Sequence, residues 1–397
     1  MTIANHIKKA LAGSSLIRQM FEKGAELKKI HGADKVFDLS LGNPNLEPPT
    51  EFLEALTAAA ASTEPGIHGY MPNTGYLSTR AAVADFVAEQ QEIKEMSPDN
   101  IIMTCGAAGG LNVTFKTLLN PGDEVIVPSP YFVEYGFYAA NSNGNLVTVK
   151  TNPDFTLCLT AIEEAIGEKT KIILINSPNN PTGQIYSSRS LDALGELLRR
   201  KSLELGHALY LVSDEPYRRI VYDGVKVPSI FASYENSIVI TSFSKDLSIP
   251  GERIGYIAVS PNLPERQEVL MGMALTNRTL GFVNAPALMQ RALPAAIDAK
   301  VNIEEYARKR KLLCDGLGAA GYEFITPPGA FYLFPRCPGG DDTAFVESLQ
   351  EEKIIVVPGR AFDCPGFFRI AFCVDDRTIT GSLPGFRAAL KRFKDKK

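Results

Sequence analysis

Short apolar runs rich in β-branched residues recur along the middle of this chain, each closed by turn residues. They are Ile101 to Thr104, Val125 to Val127, Leu146 to Lys150, Lys171 to Ile175, Ala208 to Val212, Ile238 to Thr241 and Tyr256 to Val259. Continuous apolar runs of this length suit strands buried on both faces. Between them, Ile162 to Ile166 and Ser187 to Arg199 carry helical spacing, as Leu77 to Gln90 does ahead of the first run. A strand–loop–helix rhythm repeated this often predicts an α/β fold: a mostly parallel central sheet covered by helices. Ligands gather at the carboxyl ends of strands in such sheets. The residues just after each run are therefore where chemistry is to be sought.

The richest of these ends follows Ile238 to Thr241. There Ser242-Phe243-Ser244-Lys245 is followed by Pro250-Gly251-Glu252-Arg253. One amine, two hydroxyls and a guanidinium suit a phosphorylated aldehyde, with the lysine bonding the aldehyde and serine and arginine taking the phosphate. An ordinary surface loop has the same residue types. Lys171 to Ile175 enters Asn176-Ser177-Pro178-Asn179-Asn180-Pro181-Thr182-Gly183, where asparagine offers both donor and acceptor and proline and glycine fix a turn. Asp214-Glu215-Pro216-Tyr217 closes another run; its carboxylate can cap a helix or bond a protonated ring nitrogen.

Cys105-Gly106-Ala107-Ala108-Gly109-Gly110 lets backbone amides face an anion at a helix start. Close helix packing explains those small residues equally well, and the run lacks the GxGxxG pattern of a nicotinamide site. Tyr131 and Phe132 stand near a strand end, as core residues or as a flat ring against a planar ligand. Gly42-Asn43-Pro44 follows an extended segment, Val36 to Leu41, and serves a turn or a close backbone approach. Arg369 lies inside the apolar run Phe368 to Phe372 and needs an anion or a hydrogen-bond partner.

Toward both ends the rhythm changes. Ser15 to Lys29 has helical spacing with Ile17, Met20, Phe21 and Leu27 as its apolar set, and Thr50 is placed to cap the next helix. His68 to Gly75 and Thr276 to Pro286 are loop-like. Val301 to Leu317 is a charged helix that starts or links a second unit, and Phe331 to Phe334, Ile354 to Val357 and Phe368 to Phe372 are strand candidates for a smaller α+β layer. At 397 residues and 45% hydrophobic, the chain is long enough for two domains.

The formal charge of −4 gives no broad attraction to nucleic acid or anionic membrane. Six scattered cysteines without a close CxxC pair, and four histidines, do not resemble a metal site. His68 has no acidic or nucleophilic neighbour and is given no catalytic role. Met1 to Leu11 has lysines but no long apolar run, and no stretch approaches a membrane span, so a cytoplasmic, reducing environment is expected.

In their order and spacing, these motifs resemble the fold-type I, pyridoxal-phosphate-dependent aminotransferases of class I and II, within the aspartate aminotransferase-like group. The motifs are Gly42-x-Pro44, the Tyr70 to Gly75 loop, Gly106-Ala107-Ala108, Asn180-Pro181-Thr182-Gly183, Asp214-x-x-Tyr217, Ser242-x-Ser244-Lys245 with Arg253, and Arg369. The resemblance spans about Ser15 to Phe393. It implies that pyridoxal 5′-phosphate is carried on Lys245, with Asp214 at the pyridine nitrogen, Asn180 and Tyr217 near the phenolic oxygen, and Phe132 on the ring face. It places the phosphate against Ala107, Ala108, Ser242, Ser244 and Arg253, with Tyr70 reaching it from a neighbouring subunit, hence a homodimer. Arg369 would hold the α-carboxylate, helped by the Gly42 backbone and the Asn180 side chain. The large domain would take residues 49–285, and the small one would combine residues 1–48 with residues 286–397.

The implied reaction is transamination between an amino acid and a 2-oxo acid in amino acid metabolism, with Lys245 as general base and ping-pong kinetics. Aspartate and 2-oxoglutarate are the leading pair. Some aspartate-using relatives place a lysine where Ala108 stands here, which removes one partner for a second carboxylate; Arg18 or Arg278 could replace it if folded inward. Other amino acid specificities, a β-lyase using the same proton abstraction, and a cofactor-binding regulator without turnover are the alternatives.

Overall fold

In a computed structural model, which describes residues 2–12 and 16–395, the recurring apolar runs form one seven-stranded sheet. In chain order the strands are β1 (Phe37–Asp38), β2 (Ile101–Thr104), β3 (Glu124–Ser129), β4 (Asn145–Lys150), β5 (Thr170–Asn176), β6 (Tyr210–Asp214), β7 (Ser237–Ser242), β8 (Gly255–Val259), β9 (Tyr332–Leu333), β10 (Ile354–Ile355), β11 (Val357–Pro358) and β12 (Phe368–Ala371). The large sheet has the order β2-β8-β7-β6-β5-β3-β4. All its neighbours pair in parallel except β8, which is antiparallel to both β2 and β7. The sheet is therefore mixed. Reversal of β8 puts its first residues at the edge where β2, β3, β5, β6 and β7 end.

Alternation within the strands fills two cores, as a period of two dictates. Met103, Ile126, Ile173, Ile175 and Val239 face one set of helices with Phe52, Val83, Leu194 and Leu293. Ile102, Val125, Val127, Ile172, Leu174, Ile238 and Ile240 face the other, with Leu111, Phe115 and Tyr135. Nine of these strand residues (Met103, Ile126, Ile173, Ile102, Val125, Ile172, Leu174, Ile238 and Ile240) have no exposed surface, which is why the runs read as continuously apolar. The helix Ala287–Ala296 packs in the first of these cores through Met289, Ala292 and Leu293.

A separate core gathers the ends of the chain. Leu39, Tyr306, Leu313, Phe331, Leu333, Phe345, Ile354, Phe368 and Phe386 pack together, joined by Tyr217, Ile220 and Tyr222 from the segment after β6. Here β1 pairs with β10, and β12 lies between β11 and β9.

Three local expectations are corrected. Thr50 does not cap its helix: it is the first helical residue, preceded by Pro49, and no side chain caps that end. Residues 276–279 are not loop but the last turn of the helix Arg266–Thr279, where Met273 and Asn277 are buried on its inner face. Phe21, placed in the apolar set of the first long helix, is 47% exposed.

Candidate active site

Strand ends and one strand start enclose a cavity of about 350 Å³, within the range of small-molecule sites. Every predicted site residue except Tyr70 lines it: Gly42, Ala107, Ala108, Phe132, Asn180, Asp214, Tyr217, Ser242, Ser244, Lys245, Arg253 and Arg369. Tyr70 lies outside, with 93% of its surface exposed. Arg278 is exposed on the helix Arg266–Thr279, and His68 is exposed in its loop; neither reaches the cavity. Arg18's side chain lies outside the described residues.

Lys245 follows the end of β7, and its Nζ donates to the Gly42 carbonyl at 2.9 Å. Burial pushes its ammonium down to about 8, and the Arg369 and Arg253 guanidiniums push the same way; the Cys373 thiol acts against them. An amine tuned this way is readily available in its neutral, nucleophilic form.

Asp214 ends β6 and is 5% exposed. Its Oδ2 accepts from the Tyr135 hydroxyl at 2.6 Å, while its Oδ1 is buried with no hydrogen-bond partner. Burial raises the carboxyl to about 7; the Tyr135 bond opposes this, and Glu215 adds to it. A buried carboxylate oxygen without a donor is costly. The one at Asp214 belongs to a residue that faces an open cavity, so a cationic nitrogen placed there would satisfy it.

The loop after β5 is braced internally: Asn176 Oδ1 accepts from the Asn180 amide at 2.7 Å, and Asn176 Nδ2 donates to the Asp214 carbonyl at 2.7 Å. This leaves the Asn180 side chain free to accept from Arg369 Nη1 at 2.9 Å. Arg369 also donates to the Ser40 carbonyl at 2.5 Å. Ser40's carbonyl thus meets the guanidinium, and Gly42's carbonyl meets Lys245.

At the opposite wall, Ala107 and Ala108 sit in the first turn of the helix Gly106–Leu118, where backbone amides lack intrahelical acceptors. Ser242 Oγ donates to Ser244 Oγ at 3.0 Å beside them. Arg253, in a left-handed backbone conformation with φ +54°, points its guanidinium over the same helix start: a Cβ on Gly106 would lie 3.0 Å from Arg253 Nη2. The absent side chain at Gly106 gives the arginine its place. Cations, hydroxyls and free amides together make an anion cradle. Phe132 flanks the cavity and packs edge-on against Tyr135, with ring centroids 5.7 Å apart.

Tyr135 and Tyr332 were not singled out from sequence, yet both line the cavity. Both sit in aromatic-rich stretches that read as core. Tyr135 stands three positions beyond Phe132, in the first turn of the helix Glu134–Asn141, and its amide donates to the Phe132 carbonyl at 3.1 Å; that closeness in sequence is the one signal. Among the described residues no cluster of His, Cys, Asp and Glu could hold a metal ion, and no helix is long and apolar enough to cross a membrane.

An aldehyde-reactive amine, an unpaired acid, an anion cradle and a second guanidinium fit pyridoxal phosphate plus an amino acid. Comparison with known proteins agrees. The family model for class I and II aminotransferases matches residues 34–382. A probable aspartate aminotransferase of Methanocaldococcus jannaschii is 32% identical over 84% of this chain and 88% of its own length. An aromatic-amino-acid aminotransferase of Thermococcus litoralis is 29% identical over 97% of each chain. The crystal structure of an aminotransferase from Eubacterium rectale superposes with a TM-score of 0.95 at 37% identity, covering 99% of both chains. This chain belongs to the class I and II aminotransferases, in the fold-type I, aspartate aminotransferase-like group whose cofactor is pyridoxal phosphate.

Proposed function

We propose that this aminotransferase exchanges the α-amino group of an amino acid with a 2-oxo acid, aspartate and 2-oxoglutarate being the leading pair. The observation that carries the reading is the buried, unpartnered Asp214 Oδ1, on a residue that lines one cavity with Lys245 and Arg369. Pyridoxal 5′-phosphate, when bound, supplies the electron sink that makes the Cα proton removable. Asp214 would hold the ring nitrogen protonated, and Asn180 and Tyr217 would meet the ring oxygen. Phe132 would lie against the ring, and Ala107, Ala108, Ser242, Ser244 and Arg253 would take the phosphate. Lys245 would hold the cofactor aldehyde, and its amine, once free, would be placed to accept the proton from the substrate Cα. Arg369 fixes the α-carboxylate, with its other donor tied back to Ser40.

Tyr70, exposed and outside the cavity, serves the phosphate of a second copy, so the working unit is a homodimer. The sheet with its two cores forms a large domain, and the N-terminal segment joins the C-terminal third in a smaller one.

A second reading, for a neutral or aromatic side chain, is favoured by one observation. The cations lining the cavity are Lys245, Arg253 and Arg369, and each already has a task. Among the described residues of one chain, a side-chain carboxylate finds no further partner there. The test is a panel of amino donors and 2-oxo acceptors with cofactor-loaded protein, recording pyruvate and ammonia in parallel. Matching amino and oxo products support transamination; release of pyruvate and ammonia from β-substituted donors alone would replace it with elimination. Aspartate outrunning alanine and phenylalanine selects the first specificity, and the reverse order selects the second.

A further inference from the structure

Tyr332 has no part in the reading above, yet it touches two residues that do. It lies on β9, paired antiparallel with β12, with Tyr332 opposite Ala371 and Leu333 opposite Ile370. Arg369 is two positions before Ala371, on the same face of β12, so Tyr332 is its diagonal cross-strand neighbour. The Arg369 guanidinium accordingly lies over the Tyr332 ring, 4.6 Å from its centroid, and also over the Phe362 ring at 4.8 Å. Arg369 is 2% exposed and Nε has no hydrogen-bond partner. Flat aromatic faces therefore hold the fork in plane where hydrogen bonds do not.

The other end of the same ring meets the cofactor side of the cavity. Tyr332 Oη lies 2.8 Å from Tyr217 Oη, and both side chains are buried. A phenol has one proton to donate. If Tyr217 gives it to Tyr332, none is left for a ring oxygen in the cavity. If Tyr332 donates, Tyr217's proton is free to point inward, and the two bonds in series strengthen each other. Gly42 makes room for this placement: a Cβ there would stand 1.9 Å from the Tyr332 hydroxyl oxygen.

We propose that Tyr332 is a positioning residue that serves both halves of the reaction, its ring aligning Arg369 for the substrate carboxylate and its hydroxyl directing Tyr217's proton at the cofactor. The inference rests on the reading that cofactor and amino acid share this cavity. It assigns a double duty to one side chain, and the duties separate by substitution. Y332F keeps the ring and removes the donor; Y332L removes both.

The experiment uses full-length protein loaded with pyridoxal phosphate. It reads the pH midpoint of the cofactor's visible absorbance, and the binding of 2-methylalanine, which has no Cα proton to lose, by its spectral change. Y332F is expected to raise the midpoint by roughly half a pH unit, the scale of one neutral hydrogen bond, while 2-methylalanine binds within about twofold of wild type. Y332L is expected to show the same midpoint shift and to bind 2-methylalanine about tenfold more weakly. A loaded Y332F protein with an unmoved midpoint overturns the hydroxyl's duty, and unaltered binding by Y332L overturns the ring's. Should Y332L fail to fold, Y332F still decides the hydroxyl's duty, because loss of one oxygen preserves the packing, and Y332M, which fills the space without a flat face, decides the ring's by the same binding measurement. Wild-type protein that never develops the absorbance sinks the functional reading itself, and this inference with it.

Discussion

Asp214 makes the cofactor-free protein pay for its own acid, and the cost can be worked out. Its carboxyl is raised by burial from 3.8 to about 7. An acid with a raised pKa holds a proton in the folded chain that the unfolded chain has already lost. Folding therefore takes up a proton between these values, and stability falls as pH rises from about 4 to about 7. Three units at about 1.4 kcal/mol each give about 4 kcal/mol, an order-of-magnitude figure for a group this buried. D214N replaces the ionisable oxygen with an amide of the same shape and leaves a carbonyl for the Tyr135 hydroxyl. Unfolded in urea without cofactor, D214N should be more stable than wild type at pH 8, by about 1–4 kcal/mol, and the difference should close toward pH 4. The same variant should bind pyridoxal phosphate weakly, since its amide cannot hold a cationic nitrogen. Equal stabilities at pH 8, or a gap that persists unchanged to pH 4, would refute the argument that this carboxyl is stored in the fold for a cation.

K245A should fold and retain the cavity but give no lysine-linked visible absorbance with pyridoxal phosphate and almost no transamination; retained turnover removes the lysine from the mechanism. R369A should raise the half-saturating concentrations of amino and oxo acids together by about a hundredfold or more, the scale of a buried charge-assisted bond, and unchanged saturation curves would take the carboxylate away from it. In G42A the new methyl falls 1.9 Å from the Tyr332 hydroxyl. The ring must move, so weaker binding of 2-methylalanine is expected, and a normal Kd would show that the segment yields instead.

Much of the site was legible because its residues follow buried strands that announce themselves. Ser242 to Lys245 comes directly after a run of residues with almost no exposure, and Asp214 ends another. Chemistry placed at such an edge stands out against its apolar neighbours. Strand direction was not legible: β8 is as buried and apolar as the parallel strands of the same sheet, and only pairing partners decide orientation. Tyr135 and Tyr332 stayed hidden for a different reason. Each is an aromatic among aromatics, and what makes it functional is a hydroxyl partner 79 residues away for Tyr135 and 115 for Tyr332. Periodicity carries no information at that range. Residues 276–279 misled because threonine and asparagine favour turns in isolation, whereas burial of Met273 and Asn277 carries the helix through them.

Between Asp214 and Tyr217 the polypeptide leaves the large sheet and enters the core built by the ends of the chain, where Tyr217 packs edge-on against Phe331 and Tyr332. Catalysis here cannot be excised. A fragment stopping near residue 300 would keep the amine and the acid, yet it would strand the tyrosine without its aromatic bed and omit Arg369 altogether. For anyone transplanting this chemistry onto a smaller scaffold, the minimum unit is a junction between two hydrophobic interiors, with two residues of chain, Glu215 and Pro216, as the bridge.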